Sequence, residues 1–330
     1  MNEKEKKSRL VIVSNRLPIV LSKSQQGQWQ VKPGAGGLVT ALAPVLKNRG
    51  GIWIGWPGVE GVDDPEMKNM LADISKDYGY TFMPVAVTKE QIDGYYYGFS
   101  NQVLWPLFHD LQTRCNFSPA YWNAYTDVNR KFAETVARHL GDNDDHIWVH
   151  DYHLMCVGRE LRNIGVTSKI GYFLHTPFPP LDLFLKLPWR FQILENLLAY
   201  DLIGFQTQRD RRNFVQCVHA MISDVRIKGR SRIQSTTISD RRVRFGNFPI
   251  SIDFKEFAQK AGDRQVKNRL EEIKAMFSTQ HLVLGVDRLD YSKGIPERLM
   301  AFRDALKLFP ELVGKISLVQ VVVPSRVNIP

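Results

Sequence analysis

The sequence predicts a doubly wound α/β protein, and three observations predict it. Short apolar, partly β-branched runs recur along the chain, helical periodicities separate several of them, and the most distinctive loops sit where such runs end. Strand and helix in alternation imply parallel sheets with helices on their faces. Such sheets bind ligands at the carboxyl ends of their strands.

The first run, Leu10 to Val13, ends in Ser14-Asn15-Arg16. A hairpin is expected from Ile19 to Lys32, after which Pro33-Gly34-Ala35-Gly36-Gly37 opens into a helix marked by Leu38, Leu42, Val45 and Leu46. Glycines at a helix amino terminus let backbone N–H groups face an anion, and the macrodipole favours negative charge there. The segment lacks the full GxGxxG fingerprint, and no GxxxxGK[ST] is present, so neither a dinucleotide site nor a Walker ATPase is supported.

Aromatic residues crowd the next segment: Trp53 and Trp56 in GIWIGWPG, then Tyr95, Tyr96, Tyr97 and Trp105 in GYYYGFSNQVLWP. Rings with polar tips suit the CH faces and hydroxyl edges of sugars, although such rings also build cores. Tyr125, Val128, Phe132, Val136 and Leu140 form a helical stripe stopped by Gly141.

The strand His146 to Val149 ends in His150-Asp151-Tyr152-His153, and the strand Ile170 to Leu174 ends in His175. Strand ends direct side chains into one crevice, where Asp151 could accept hydrogen bonds from sugar hydroxyls and His175 could donate to a sugar or a leaving group. Alternation along a strand sends His150 and Asp151 to opposite sides, which argues against a zinc site built from them and His153.

Leu202 to Phe205 is the next strand, and the basic stretch Arg209 to Arg244 reads as a helix and a hairpin. Much of the net charge of +10 lies there. No helix-turn-helix, zinc-finger or RNP signature accompanies it, so a solvated face is expected and nucleic acid is not.

A helix marked by Val266, Leu270, Ile273 and Phe277 precedes a buried strand, His281 to Val286. Then GVDRLDYSKGIPER sets Arg288 and Lys293 five residues apart on the loop before a helix, marked by Pro296 near its start and by Leu299, Phe302, Leu306 and Phe309. Two cations at a strand's carboxyl end can hold a pyrophosphate. Ile316 to Val323 is the last strand.

At 330 residues and 44% hydrophobic content the chain should hold two domains with cores of their own. No apolar run approaches the roughly 20 residues needed to span a bilayer, so no membrane association is expected. The opening MNEKEKKSR lacks the apolar core of a secretory signal, and Cys115, Cys156 and Cys217 show no CxxC spacing, so a cytoplasmic protein with reduced thiols is expected.

The ordered motifs SNRLP, GAGGL, WIGWPG, YYYGFSN, VLWP, VHDYHL, FLHTPFP, DLIGFQT, GVDRLDYSKGIPER and VVPSR resemble those of the trehalose-6-phosphate synthases, retaining glycosyltransferases of the GT-B fold. The resemblance implies two Rossmann-like domains: an amino-terminal acceptor domain over residues 1–253 and a nucleotide-sugar donor domain from residue 254 to 330. It implies transfer of glucose from UDP-glucose to glucose 6-phosphate with retention, without a cofactor, a metal or an enzymic nucleophile. Gly36 and Gly37 would approach the donor pyrophosphate, Arg288 and Lys293 would neutralise it, and His175 would contact the donor glucose. Arg16 and Arg326, helped by Tyr96, would hold the acceptor phosphate. Asp151 would bind acceptor hydroxyls, with Trp56 and Trp105 shaping that pocket.

Family members continue well past VVPSR, so the second domain is expected to be incomplete, with an exposed apolar edge at Ile316 to Val323 and negligible synthase activity at this length. A homo-oligomer or a trehalose-phosphatase partner also fits the family. The alternatives are a sister transferase with another phosphorylated acceptor, such as a glucosylglycerol-phosphate synthase acting on glycerol 3-phosphate, and a catalytically silent regulatory subunit.

Overall fold

The computed structural model describes residues 8–34, 36–59, 64–141, 145–229, 231–238, 240–277 and 279–323. The chain divides into two compact units, Met1–Ile250 and Ser251–Pro330. No helix among the described residues is long and apolar enough to cross a membrane.

In the first unit the strands are β1 (Leu10–Arg16), β2 (Ile19–Lys23), β3 (Trp29–Pro33), β4 (Ile52–Trp56), β5 (Thr81–Pro84), β6 (His146–His150), β7 (Lys169–Leu174), β8 (Leu202–Phe205), β9 (Ile233–Ile238) and β10 (Arg241–Asn247). Eight of them form one sheet in the order β5-β4-β1-β6-β7-β8-β10-β9, while β2 and β3 pair as the expected hairpin. Every pairing in the large sheet is parallel except that of β9 with β10. Parallel strands covered on both faces should be apolar throughout, and every residue of β1 except Arg16 is buried.

The strand order reverses between β1 and β6. The chain runs from β1 outward to β4 and β5, then returns to the other side of β1 as β6. Leu10 pairs with His146 and Val13 with Val149, so the carboxyl ends of the two strands lie side by side. That reversal opens a crevice where no crossover covers the strand ends.

The helix Pro119–His139 starts on a proline and carries Arg138 and His139 in its last turn, which suits both ends of the macrodipole. Tyr125, Val128, Phe132 and Val136 are fully buried, as the stripe predicts. Truncating Phe132 to alanine should cost about 3–5 kcal/mol. Two residues of this helix also fix the turn after β6. The Tyr125 hydroxyl donates to the carbonyl of Tyr152 at 2.8 Å and accepts from the Met155 N–H at 3.1 Å. Asn129 donates to the His153 carbonyl at 3.0 Å and accepts from the Cys156 N–H at 3.1 Å.

Two strands went unanticipated. The aromatic run Ile52–Trp56 is the buried strand β4, and Thr81–Pro84 is the edge strand β5. Ile92–Leu104, which carries Tyr95, Tyr96 and Tyr97, is a π-helix entered through a capping box between Thr88 and Gln91. The wider turn is rare and tends to occur at functional sites.

In the second unit β11 (His281–Arg288) pairs in parallel with β12 (Ile316–Val323), joined through the helix Ile295–Leu308. The helix Arg264–Ala275 carries Val266, Leu270 and Ile273, while Phe277 lies beyond its end. The strand expected to be buried is mostly exposed, since Leu282, Val283, Leu284 and Val286 are each at least 40% accessible. A sheet of two strands covers little of its own faces. Arg298 links the two strands by pairing with Asp287 on β11 and Gln320 on β12.

Candidate functional site

A cleft of about 440 Å³ opens at the carboxyl ends of β1 and β6, lined among others by Arg16, Gly36, Gly58, His150, Asp151 and His153. A broader depression of about 1020 Å³ lies at the β5 edge against the helix Pro65–Tyr78. It is lined by no carboxylate and no helix amino terminus opens into it, so the smaller cleft is the candidate.

Arg16 ends β1 with its guanidinium 4.0 Å above the ring of Trp56, at the end of β4. Trp56 is buried, and its indole N–H donates to the Val59 carbonyl at 3.2 Å. Gly58, at φ 89°, leaves room for the guanidinium, which a Cβ at that position would overlap. Burial pushes the Arg16 pKa down, while the neighbouring Tyr96, Tyr97 and Tyr95 act in the opposite direction. Arg16 still reaches solvent and is a cation facing the cleft.

Tyr96 meets Trp56 edge-on at 6.1 Å and stacks on His153 at 5.8 Å and 11°. Two rings of the aromatic segment instead belong to the core. Trp53 is fully buried with its indole N–H on the Ser14 hydroxyl at 2.8 Å, and Tyr95 is fully buried with its hydroxyl donating to Asn15 at 3.0 Å. Trp105 stands one layer behind the cleft, buried against His109 at 4.0 Å and Tyr152 at 5.6 Å.

Asp151 overturns the alternation argument. Its backbone sits at φ 72° and ψ 168°, a conformation that is strained for residues other than glycine, and both His150 and Asp151 line the cleft. The Asp151 N–H donates to the Phe173 carbonyl of β7 at 2.8 Å, and its carboxylate accepts from the His175 N–H at 3.3 Å. His175 is thereby tied to the end of β6. Burial lowers the His175 pKa, with Asp151 opposing, and burial together with His175 lowers that of His150 well below its ordinary value. Among the described residues no group of three or more His, Cys, Asp or Glu could hold a metal ion.

The helix Gly37–Arg49 opens directly onto the cleft behind Gly36, which sits at φ 129°. It has no side-chain cap and no acidic residue in its first turn, so the terminal N–H groups and their positive dipole meet the cleft unneutralised. The first unit thus gathers Arg16, Gly36, Gly37, Trp56, Tyr96, His150, Asp151, His153 and His175. Sequence reading set His153 aside as a weak metal ligand. Its spacing after Asp151 in HDYHL held a signal for a stacking partner.

In the second unit, Arg288 ends β11 and Lys293 closes the short 3₁₀ turn Tyr291–Lys293, which is held by the Asp290 carboxylate accepting from the Ser292 N–H at 3.0 Å and its hydroxyl at 2.7 Å. Both cations are exposed, and neither side chain hydrogen-bonds or ion-pairs with another described residue. Arg326 lies outside the described residues.

The profile of glycosyltransferase family 20 matches residues 8–330. The chain belongs to glycosyltransferase family 20. A trehalose-6-phosphate synthase of Mycolicibacterium vanbaalenii is 42% identical over 325 residues, covering 96% of this chain and 65% of that protein. The UDP-forming alpha,alpha-trehalose-phosphate synthase A of Dictyostelium discoideum is 39% identical, covering 99% of this chain and 43% of its own length. Among solved structures, the UDP-forming synthase of Burkholderia xenovorans in complex with glucose-6-phosphate superposes with a TM-score of 0.80 at 32% identity, covering 98% of this chain and 67% of that one. An E. coli structure bound with UDP-2-fluoro glucose also gives 0.80, at 35% identity and covering 98% and 66%. These likenesses give this family member the GT-B fold. The chain spans about 65% of the length of the curated mycobacterial relatives it matches.

Proposed function

We propose that this family 20 chain serves a UDP-forming trehalose-6-phosphate synthase, which transfers glucose from UDP-glucose to glucose 6-phosphate with retention. The observation that carries the reading is the convergence, in one cleft, of the Arg16 cation on Trp56, the Asp151 carboxylate and an uncapped helix terminus. A sugar phosphate needs those three complements: a guanidinium fork for the phosphate, an acceptor for hydroxyls and donors for a neighbouring anion. Matching ligands, glucose-6-phosphate and UDP-2-fluoro glucose, occupy the two relatives described above.

On this reading, the first domain takes the acceptor. Arg16, with Tyr96 beside it and Arg326 joining, holds the 6-phosphate, while Asp151 binds hydroxyls in a pocket formed by Trp56 and backed by Trp105. His175 contacts the donor glucose. Gly36 and Gly37 present N–H groups to the pyrophosphate, and Arg288 and Lys293 of the donor domain neutralise it as the bond to UDP breaks. The departing phosphate oxygen takes the acceptor proton, so the protein's contribution is positioning and charge stabilisation.

A regulatory subunit without chemistry is the weaker reading, because Arg16, Asp151 and the uncapped helix terminus meet in one cleft. The three cysteines are unpaired, and burial raises the thiol pKa of each, to about 11 for Cys115 and about 12 for Cys217. Inert, reduced thiols support a cytoplasmic setting.

The test, run on the chain joined to a complete donor domain because this length alone is expected to be inactive, is UDP release from UDP-glucose in the presence of glucose 6-phosphate, glycerol 3-phosphate or unphosphorylated glucose, with the product's anomeric configuration read by proton NMR. Selective turnover with glucose 6-phosphate and an α,α linkage is expected. Preference for glycerol 3-phosphate would transfer the reading to the sister activity, and no turnover with any acceptor would remove the enzyme reading.

A further inference from the structure

The ends of β6 and β7 bring two imidazoles together, with Nδ1 of His150 3.1 Å from Nε2 of His175. Two ring nitrogens at that distance share one proton, so one ring donates and the other accepts. If His175 donates, neutral His150 must carry its own proton on Nε2. That atom is buried and has no hydrogen-bond partner among the described residues. An orphaned buried N–H is among the rarest features of folded proteins, and an unfilled lone pair is tolerated more readily. If His150 donates instead, its Nε2 is a bare lone pair on a buried ring whose centroid lies 4.6 Å from that of Trp148.

A cationic His150 is no better. The ring is 1% accessible, its aromatic neighbours are Trp148, Phe173 and His175, and no carboxylate hydrogen-bonds to it. The one carboxylate nearby, on Asp151, accepts the backbone N–H of His175. Burial likewise disfavours charge on His150. Only the arrangement in which His150 Nδ1–H donates to His175 Nε2 leaves no buried donor unpaired.

We infer that His150 is a positioning residue: it occupies Nε2 of His175 and so fixes His175 in the tautomer that presents Nδ1–H as its free donor. The inference rests on the proposed reading of His175 as the residue that meets the donor sugar. It adds which ring nitrogen acts and what holds it there. His175 Nδ1 makes no hydrogen bond among the described residues, so its hydrogen is available to a hydroxyl or phosphate oxygen.

Long-range proton–nitrogen correlation NMR on the ¹⁵N-labelled chain at neutral pH, without ligand, reads the tautomers directly. Both imidazoles are expected as Nδ1–H forms. His150→Asn, which keeps a donor near the Nδ1 position, should leave His175 as Nδ1–H, whereas His150→Phe should release it to a mixture with Nε2–H. In steady-state kinetics on the chain joined to a complete donor domain, His150→Phe should lower kcat/KM for UDP-glucose by about tenfold, the worth of one hydrogen bond, with a smaller change in KM for glucose 6-phosphate and with His150→Asn restoring most of the loss. A wild-type His175 found as Nε2–H or as a cation overturns the inference, as does a His150→Phe protein whose His175 keeps its Nδ1–H form. Because the NMR result needs no substrate, an Nδ1–H His175 in a protein without transferase activity would count against the proposed function and for the pairing.

Discussion

The Arg16 guanidinium lies 4.0 Å over the indole of Trp56, and this stacked pair joins the end of β1 to the end of β4 at the mouth of the cleft. A guanidinium held over a ring face retains N–H groups that can fork to a phosphate.

Arg16→Ala is therefore expected to weaken glucose 6-phosphate binding by about 10- to 100-fold, the usual worth of a charged hydrogen bond. UDP affinity should not change. Arg16→Lys should recover little, because an ammonium neither stacks nor forks. Calorimetric titration of each ligand against each variant is the check, and equal losses for both ligands would contradict the division of labour.

Gly58 supports the same pair from above. At φ 89° an alanine is strained by about 1–3 kcal/mol, and its Cβ would overlap the Arg16 guanidinium, the movable end of a long side chain. Gly58→Ala should thus displace Arg16 from Trp56, so that acceptor affinity falls together with thermal stability. If Tm drops while glucose 6-phosphate affinity holds, Arg16 does not bind the phosphate from its stacked position.

How far the sequence revealed this site depended on which signals are local. Strand ends are legible as apolar runs meeting polar residues, so Arg16, Asp151, His175 and Arg288 could be named in advance as strand-end residues. The glycine-rich entry to the helix Gly37–Arg49 was equally plain. β4 was not, because Trp53 and Trp56 drew attention as ligand-facing rings while their burial is set by neighbours on β1 and β5. Helical periodicity assumes 3.6 residues per turn, so the π-helix Ile92–Leu104 left no signature in that register. The period-two rule failed at Asp151 for a backbone reason, since the strand ends at His150 and a φ of 72° at the next residue keeps Asp151 in the cleft beside His150. The exposure of β11 is a tertiary property, and no local pattern in His281 to Val286 reports which faces are covered.

Asn129 makes a prediction about stability rather than affinity. It is fully buried and holds both the His153 carbonyl and the Cys156 N–H in the turn that follows Asp151. Asn129→Leu keeps the volume but orphans both backbone groups, at about 1–3 kcal/mol each. A fall in Tm of several degrees is expected, with His153 and Asp151 loosened in the NMR spectrum. An unshifted melting curve would mean that water or a rearranged turn satisfies those groups.

The last prediction concerns charge at the departing group. Arg288 and Lys293 are exposed and make no hydrogen bond or ion pair with another described residue, although Lys293 acts electrostatically on Asp287, whereas Arg298, one turn into the following helix, is tied to Asp287 and Gln320. Two kinds of cation thus sit close in sequence with different duties. Arg288→Ala and Lys293→Ala should each lower turnover by about 10²- to 10³-fold in the active enzyme, as expected when charge stabilisation of a developing anion is removed, and should leave the fold intact. Arg298→Ala should do the converse at first order: it leaves Asp287 without its partner and destabilises the β11–β12 pair, with turnover falling only as far as the folded fraction falls. Circular dichroism melts and steady-state rates on the same preparations distinguish the two. Near-normal turnover in both Arg288→Ala and Lys293→Ala would remove the pyrophosphate assignment, because no other role proposed for these side chains would leave the fold untouched and the rate lowered.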